Sequence, residues 1–210
     1  MPKNYTLGEE IANSITHGVG TLLSVVGLII LVSLAAMHGD VWRIVSFSLY
    51  GSTLIFLYLN STLYHAITHK KAKHVFRILD HASIFLLIAG TYMPVLLVTI
   101  RGPWGWTLFG IILALAIIGI ILKSVCINRF ERLGIVIYIL MGWFCMMAMH
   151  QLVQKMAFGG IVLLAAGGLV YTLGVVFYAW KRLPYNHMIW HLFVLAGSAC
   201  HYFAFLFYVL

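Results

Sequence analysis

Charged residues are scarce in this chain. Only 9% of its 210 residues are Asp, Glu, Lys or Arg, whereas 63% are hydrophobic. A water-soluble domain of this size could not bury so much apolar surface, so the lipid bilayer is the expected solvent. The polar stretches between the apolar runs are too short to fold alone, which argues against an extramembrane domain and a large soluble partner.

Cysteine is rarer still, with three residues, Cys126, Cys145 and Cys200, none in a CxxC pair. We therefore expect packing residues and no disulfide. The last apolar run has no lysine, which excludes a retinal Schiff base there. No internal repeat is visible, which argues against a transporter built from repeats.

Seven apolar runs are long enough to cross a bilayer, which takes about 20 residues. We predict an all-α membrane protein, a seven-transmembrane helix bundle that forms a single domain over residues 1–210. The predicted helices lie at about 14–37, 42–65, 75–99, 104–123, 132–153, 157–180 and 186–209. Pro94 falls inside the third helix and is expected to kink it.

Basic residues are distributed unevenly between the two sides of this bundle. On the side of the N-terminus are ten: Lys3, Lys70, Lys71, Lys73, Arg77, Lys123, Arg129, Arg132, Lys181 and Arg182. On the other side are three: Arg43, Arg101 and Lys155. Because Lys and Arg collect in cytoplasmic loops, we predict a cytoplasmic N-terminus and a C-terminus outside. The net charge of +8 is then a topology signal, and no nucleic-acid partner is expected.

Several histidines fall within or at the ends of the apolar runs, where a polar side chain in the membrane costs free energy. His187 and His191, four residues apart, share one face at the start of the last run. Ser61 and His65 have the same spacing at the end of the second run, and Asp80 lies about one turn into the third. The predicted topology brings all five to the cytoplasmic level of the membrane.

This convergence suggests a metal site. We predict that His65, His187 and His191 bind one Zn²⁺, because three protein ligands leave a fourth position for water. Asp80 would hydrogen-bond that water or act as its general base, and Ser61 would help to orient it. Ligand type alone leaves other divalent metals that prefer imidazole open. For any one histidine alone, a hydrogen bond between helices is the simpler interpretation.

Three further polar residues begin the chain's first apolar run. Glu10, Asn13 and His17 follow an i, i+3, i+7 pattern and share one helix face. They are candidates for a second shell that fixes the imidazoles, or equally for a polar clamp between helices. His201 lies about 15 Å along the axis from His191, too far to share the ion.

These patterns resemble the progestin and adipoQ receptor superfamily, and the short chain resembles its bacterial haemolysin III branch. The residues that carry the resemblance are ExxNxxxH (Glu10, Asn13, His17), SxxxH with a later aspartate (Ser61, His65, Asp80), and HxxxH with a later histidine (His187, His191, His201). The resemblance implies seven helices, a cytoplasmic N-terminus, and zinc near the cytoplasmic leaflet of the bacterial inner membrane. It also implies that Asp80 contacts the water on that zinc.

The resemblance further implies a role in membrane homeostasis, which is associated with the bacterial branch, and ceramidase-like lipid amide hydrolysis, which is associated with eukaryotic relatives. The first functional hypothesis is therefore a zinc-dependent hydrolase of a lipid amide or ester, with membrane lipids or fatty acids as substrate or ligand. The second is a non-enzymatic sensor or regulator of the membrane with a structural zinc. An ion or proton pathway, or a haemolysin, is the remaining alternative.

Overall fold

The computed structural model describes residues 5–127 and 131–210. Lys3 and Arg129, which were counted in the charge asymmetry, lie outside these residues. The α-helices are α1 (Leu7–His38), α2 (Val41–Ala66), α3 (Lys70–Met93), α4 (Pro103–Cys126), α5 (Glu131–Trp143), α6 (Met149–Lys155), α7 (Phe158–Ala179) and α8 (Asn186–Tyr208). A π-helix, Pro94–Ile100, extends α3, and a 3₁₀-helix, Phe144–Ala148, joins α5 to α6.

Seven helical spans in the described ranges are long and apolar enough to cross a membrane. They correspond to α1, α2, α3 with its π-helix, α4, α5 with α6, α7 and α8. Many large apolar side chains on these spans face outward, such as Leu22, which is 70% exposed, and Leu140, which is 65% exposed. An outward apolar surface is what lipid requires. The predicted all-α, multi-pass membrane fold is confirmed.

The first helix begins at Leu7, seven residues before the predicted boundary. Thr6 caps it, because the Thr6 hydroxyl accepts a hydrogen bond from the Glu9 backbone N–H and the Glu9 carboxylate accepts one from Thr6 N. The prediction was wrong because it followed the apolar run. The first turns of α1 carry polar residues that the bundle buries, so they do not register as a membrane segment.

The third helix also begins earlier than predicted, at Lys70 rather than near residue 75. The connection predicted over residues 66–74 is reduced to residues 67–69. The basic residues of this region occupy the first turns of α3. The other long connection, predicted at 124–131, includes residues 128–130, which lie outside the described part of the chain.

The helix that contains Pro94 changes its winding at that residue. The α-helix ends at Met93, and residues Pro94–Ile100 form a π-helix that closes with a hydrogen bond from Arg101 N to Leu96 O of 3.1 Å. Proline has no N–H to donate to the preceding turn, so the backbone hydrogen bonds are rearranged there. At the proline where a kink was predicted, the structure has a π-helical segment.

The fifth span is interrupted by a side chain from the third. The Tyr92 hydroxyl donates to Met141 O at 2.7 Å and accepts a hydrogen bond from Cys145 N at 2.8 Å. A hydroxyl that enters a helix ladder in this way breaks its regular pattern. The 3₁₀-helix that separates α5 from α6 begins directly beside this contact, and no local sequence pattern predicts it.

The two last helices pack closely along a glycine stripe. Gly160, Gly167 and Gly174 of α7 are buried. A Cβ at Gly174 would lie 2.7 Å from the Cβ of Phe193 in α8. Small residues let membrane helices approach in this way. Cys145 and Cys200 are free thiols; the Cys126 side chain is not among those described.

Candidate metal centre and its cavity

Three buried histidines meet where α2 ends and α8 begins. One ring nitrogen from each of His65, His187 and His191 lies within 4.8 Å of the other two. Their side chains are 3%, 6% and 1% exposed, respectively, so the cluster is closed off from bulk solvent. The starts of α1 and α3 reach the same end of the bundle, and these helices supply the residues around the cluster.

The orientation of His65 is fixed by α1. The Glu10 carboxylate accepts a hydrogen bond from His65 Nδ1, with Oε2 at 2.6 Å, and the Asn13 side-chain amide lies 3.4 Å from the same nitrogen. The ammonium of Lys73 in α3 holds the other Glu10 oxygen at 2.8 Å. Since Nδ1 carries the proton, the lone pair of His65 is on Nε2. Nε2 is buried with no hydrogen-bond partner among the described residues.

His191 is oriented by the same helix. Its Nδ1 lies 3.2 Å from Asn13 O and 3.2 Å from the Thr16 hydroxyl. A carbonyl can only accept, so Nδ1 donates and the lone pair of His191 is on Nε2. The His17 ring stacks on the His191 ring with centroids 3.5 Å apart. His17 therefore contacts His191 through its ring face, and neither of its nitrogens has a hydrogen-bond partner in the described ranges.

The chemistry of these donors fits a metal ion. Two imidazoles have their Nδ1 protons engaged by α1, and His187 has both ring nitrogens buried without a partner in the part of the chain described. Unpaired buried nitrogens are costly in a protein interior. Neutral imidazoles held by outer hydrogen bonds are the usual form of histidine ligands, and a carboxylate on the outer nitrogen raises their basicity. A three-histidine group that could hold a metal is thus present.

Asp80 and Ser61 lie beside this group. Both are buried, with exposures of 7% and 0%. Asp80 lines the same cavity as His187 and His191, and Ser61 lies one helical turn before His65 in α2. The Ser61 hydroxyl itself has no direct hydrogen-bond partner among the described residues. Asp80 also lies 3.5 Å from His81 Nδ1, although that nitrogen has a shorter contact, 2.8 Å, with Arg77 O.

An aromatic residue covers the cluster at the end of the bundle. The Tyr5 ring lies 5.8 Å from His65 and 5.2 Å from His187, measured between ring centroids. Burial raises the pKa of the Tyr5 phenol, so it stays protonated and can donate a hydrogen bond. Tyr5 precedes α1 and packs against two of the three imidazoles at this end of the bundle.

An apolar cavity of about 240 Å³ opens from the cluster into the bundle. His191, His187 and Asp80 line one end of it, and residues from α3, α5, α7 and α8 continue the wall. Most of this wall is aliphatic or aromatic, as in pockets for hydrophobic ligands. His201, which the sequence placed too far away to share a metal with His191, lines the same cavity.

The structure brings together most of the residues that the sequence singled out. His65, His187 and His191 form the cluster, Glu10 and Asn13 hold two of them, and Asp80 and Ser61 lie beside them. Sequence reasoning missed Tyr5, Thr16 and Lys73. Lys73 had been counted only as a loop charge, and threonines in apolar helices commonly bond their own backbone, as Thr16 also does with Ala12 O at 2.9 Å.

Fold and site together define a multi-pass membrane protein with a buried histidine cluster at the mouth of an apolar cavity. The chain belongs to the haemolysin III family, because the profile of the family described as "Haemolysin-III related" matches residues 5–202. The resemblance noted from the sequence motifs is confirmed.

Individual relatives agree with this assignment. Hemolysin-3 of Bacillus cereus is 52% identical over 202 residues, covering 96% of this chain and 92% of the relative. The Hemolysin-3 homolog of Bacillus subtilis (strain 168) is 47% identical over 204 residues, covering 97% and 96%. The human monocyte to macrophage differentiation factor is 31% identical over 205 residues, covering 95% and 84%, which fits the wider progestin and adipoQ receptor superfamily.

Proposed function

We propose that this protein is a zinc-dependent hydrolase that cleaves an amide or ester bond in a membrane lipid. The observation that carries the proposal is the position of the three-histidine cluster. It lies at one end of an apolar cavity inside a membrane bundle, with a buried carboxylate in the same wall. A bilayer lipid could enter such a cavity with its acyl chain, while its polar linkage stays at the histidines.

The ligands in this proposal are His65, His187 and His191. When bound, Zn²⁺ supplies a Lewis acid for the scissile carbonyl and makes water nucleophilic near neutral pH. Glu10 holds His65 and the Asn13 carbonyl holds His191, each at Nδ1, so that both Nε2 lone pairs are left for a metal. Ligands that are held before binding need little reorganisation, which favours both metal affinity and a fixed geometry.

Asp80 is the proposed general base. It takes a proton from the attacking water as the water oxygen bonds to the carbonyl carbon. It then returns the proton to the leaving nitrogen or oxygen as the C–N or C–O bond breaks, releasing a fatty acid and an amine or alcohol. Ser61 lies one helical turn before His65 in α2, and its hydroxyl would help to orient the attacking water. The surrounding apolar wall excludes other water molecules from the reaction.

The proposed location is the bacterial inner membrane, with the N-terminus in the cytoplasm and the metal centre near the cytoplasmic leaflet. The charge asymmetry supports this orientation. Three of the residues in that count, Lys70, Lys71 and Lys73, lie at the start of α3, at the end of the bundle that carries the histidines. Basic side chains at that level are suited to anionic lipid headgroups on the cytoplasmic surface.

The test is hydrolysis in a defined bilayer. The purified protein in nanodiscs would be assayed for zinc content and for fatty acid release from a ceramide and from an ester lipid. We expect about one zinc per chain and release of fatty acid by the wild type. His191→Ala should lose zinc and activity, whereas Asp80→Ala should keep zinc and lose activity by about 10²–10⁴-fold.

A matched control is His150→Ala, since His150 is exposed and does not line the cavity. It should behave as wild type in both measurements. Full turnover by the zinc-free His191→Ala protein would rule out the proposed mechanism.

A structural metal in a non-enzymatic membrane sensor is the second candidate. It is favoured by the origin of the ligands, because α2 and α8 are far apart in the sequence and a metal would tie their ends together. This candidate predicts that chelation destabilises the fold while no lipid is consumed by the zinc-loaded protein. The Bacillus relatives carry the name hemolysin, and release of dye from liposomes containing the protein would test whether this chain permeabilises membranes.

A further inference from the structure

A second polar group interrupts the apolar wall of the cavity, away from the histidine cluster. We call it the His201 subsite and define it as His201, Tyr171, Ser198 and Tyr58. His201 and Tyr171 both line the cavity. The His201 ring lies 5.4 Å from the Tyr171 ring between centroids, with the two planes nearly perpendicular. A polar site is expensive in the middle of a membrane bundle, so it needs an explanation.

The protonation of His201 can be read from its contact with α7. His201 Nε2 lies 3.1 Å from Leu164 O. Because a carbonyl only accepts, Nε2 carries the proton of the neutral ring and Nδ1 carries the lone pair. Nδ1 is buried and has no hydrogen-bond partner among the described residues. The ring is thus pinned at one nitrogen and presents an unpaired acceptor at the other.

The backbone of both helices is shaped around these rings. A Cβ at Gly167 of α7 would lie 2.4 Å from Cδ2 of His201, and a Cβ at Gly197 of α8 would lie 2.9 Å from the Tyr171 ring. Any side chain at either position would displace a ring of the subsite. The two rings are therefore accommodated by two glycines that face them, one from each helix.

Three hydroxyl groups continue the subsite toward α2. Tyr58 donates to Ser198 Oγ at 2.7 Å, and the Tyr171 and Ser198 hydroxyls are 2.8 Å apart. These groups satisfy one another and hold Tyr171 against His201. A connected network of this kind fixes its members in one arrangement. The unpaired Nδ1 of His201 is the member of the subsite that lacks a partner in the described structure.

The distance between the histidine cluster and the subsite determines which part of a bound acyl chain would pass His201. His191 and His201 are ten residues apart on α8, which is about 15 Å along the helix axis. An extended chain advances about 1.2 Å per bond, since one extended residue of three bonds spans roughly 3.5 Å. An acyl chain with its carbonyl carbon at the histidine cluster would therefore pass His201 after about twelve bonds, near its thirteenth carbon.

We infer that the His201 subsite binds a hydroxyl group in the middle of an acyl chain, so that the preferred lipid is a hydroxy-acyl lipid. The inference rests on the proposed placement of the acyl chain in this cavity. The hydroxyl donates a hydrogen bond to the lone pair of His201 Nδ1. A plain hydrocarbon chain leaves that nitrogen unpaired, and discrimination between ligands is strong where a buried polar group would lose its partner.

The test is binding of positional isomers, which needs no turnover. Zinc-loaded wild-type protein in detergent would be titrated with stearic acid and with stearic acids hydroxylated at carbons 3, 7, 12 and 17, and Kd would be measured by native mass spectrometry. We expect the 12-hydroxy isomer to bind about tenfold more tightly than stearic acid. The 3- and 17-hydroxy isomers should show no such preference.

Two substitutions separate recognition from structure. His201→Leu removes both ring nitrogens and should bring the Kd ratio between stearic and 12-hydroxystearic acid close to one. His201→Asn keeps a polar atom at the δ position and should restore part of the preference. His150→Leu is the control and should leave the ratio unchanged. A wild type that binds all five acids equally, or a preference that persists in His201→Leu, would overturn the inference. His201 would then serve only to connect α8 to α7 through Leu164 O.

The hydrolase proposal can fail separately from this inference. If the 12-hydroxy preference appears and depends on His201 but no lipid is hydrolysed, the subsite stands and the enzymatic mechanism falls. If fatty acid is released from lipids in nanodiscs but chain hydroxylation has no effect on binding, the enzymatic mechanism stands and the inferred hydroxyl subsite falls.

Discussion

The Glu10 carboxylate of α1 accepts a hydrogen bond from Nδ1 of His65 at the end of α2, with Oε2 and Nδ1 2.6 Å apart. This contact joins two helices and also determines which nitrogen of His65 is free. Lys73 of α3 holds the second carboxylate oxygen at 2.8 Å, so the charge on Glu10 is compensated. A carboxylate from α1, itself held by an ammonium from α3, thus orients one histidine ring of α2.

Removing this carboxylate should weaken metal binding without removing a ligand. We expect Glu10→Leu to lower zinc affinity by about 10–100-fold, because His65 loses its orientation and part of its basicity. Glu10→Gln keeps an acceptor oxygen but not the charge, so its affinity should fall between wild type and Glu10→Leu. Competition with a chromogenic chelator measures all three. Wild-type affinity in Glu10→Leu would contradict the assigned role of this contact.

Metal removal should lower the stability of the fold. A ligand that binds only the folded state at 100 times its Kd adds about 2.7 kcal/mol. Chelation should therefore lower the midpoint of thermal unfolding in detergent, and returning zinc should restore it. His187→Ala should unfold at the same temperature with and without chelator. A chelator effect of equal size in His187→Ala would show that the loss has another cause.

The orientation predicted from the charges can be checked with reporter fusions. Alkaline phosphatase is active outside the cytoplasm, so a fusion after Gly102 in the connection between the third and fourth spans should be active. A fusion after Thr68, in the connection between α2 and α3, should be inactive. The reverse pattern would invert the bundle and place the histidine cluster at the outer leaflet.

The contact that interrupts the fifth span should contribute to stability. Tyr92→Phe removes a hydroxyl that bonds Met141 O and Cys145 N, and it leaves buried backbone groups without a partner. The expected loss is about 1–3 kcal/mol in reversible unfolding in mixed micelles. Tyr202→Phe is the matched control, because its single bond to Gly27 O is longer, at 3.3 Å. We expect Tyr202→Phe to cost less, and equal losses would contradict a special role for Tyr92.

The glycine stripe gives a second stability test. Gly174→Ala places a Cβ 2.7 Å from Phe193 Cβ, so α7 and α8 must move apart, at an expected cost of about 1–3 kcal/mol. Gly110→Ala in α4 meets no atom within 4 Å and should be neutral or slightly stabilising, because alanine favours the helix. The unfolding midpoints of both variants would be compared with that of the wild type. Equal midpoints for Gly174→Ala and Gly110→Ala would contradict a role of Gly174 in the close packing of α7 and α8.

The number and nature of the spans could be predicted from the sequence because the bilayer imposes them. Every backbone polar group must be satisfied within the span, so a run of apolar residues has to be a helix. The start of α1 could not be placed this way. Its first two turns carry Glu9 and Asn13, which the bundle buries, and a scan for apolar residues begins only after them, at residue 14.

The histidines of the candidate site could be predicted from the sequence for a similar reason. An imidazole in an apolar helix stands out against its background, and the i, i+4 spacing of His187 and His191 fixes a common face. Tyr5, Thr16 and Lys73 carried no such contrast, since each is of a type common at its position. Their roles depend on contacts with residues of other helices, which no local pattern encodes.

By itself, the sequence determined that seven helices cross the membrane, which family the chain belongs to, and which histidines stand out, since solvent and helical periodicity act on each segment separately. Only the tertiary structure decided which nitrogen of His65 and of His191 is free, that Tyr92 breaks the fifth span, and that His201 shares a cavity with the cluster. These features follow from hydrogen bonds and close packing between distant segments, and such contacts exist only once the helices are assembled.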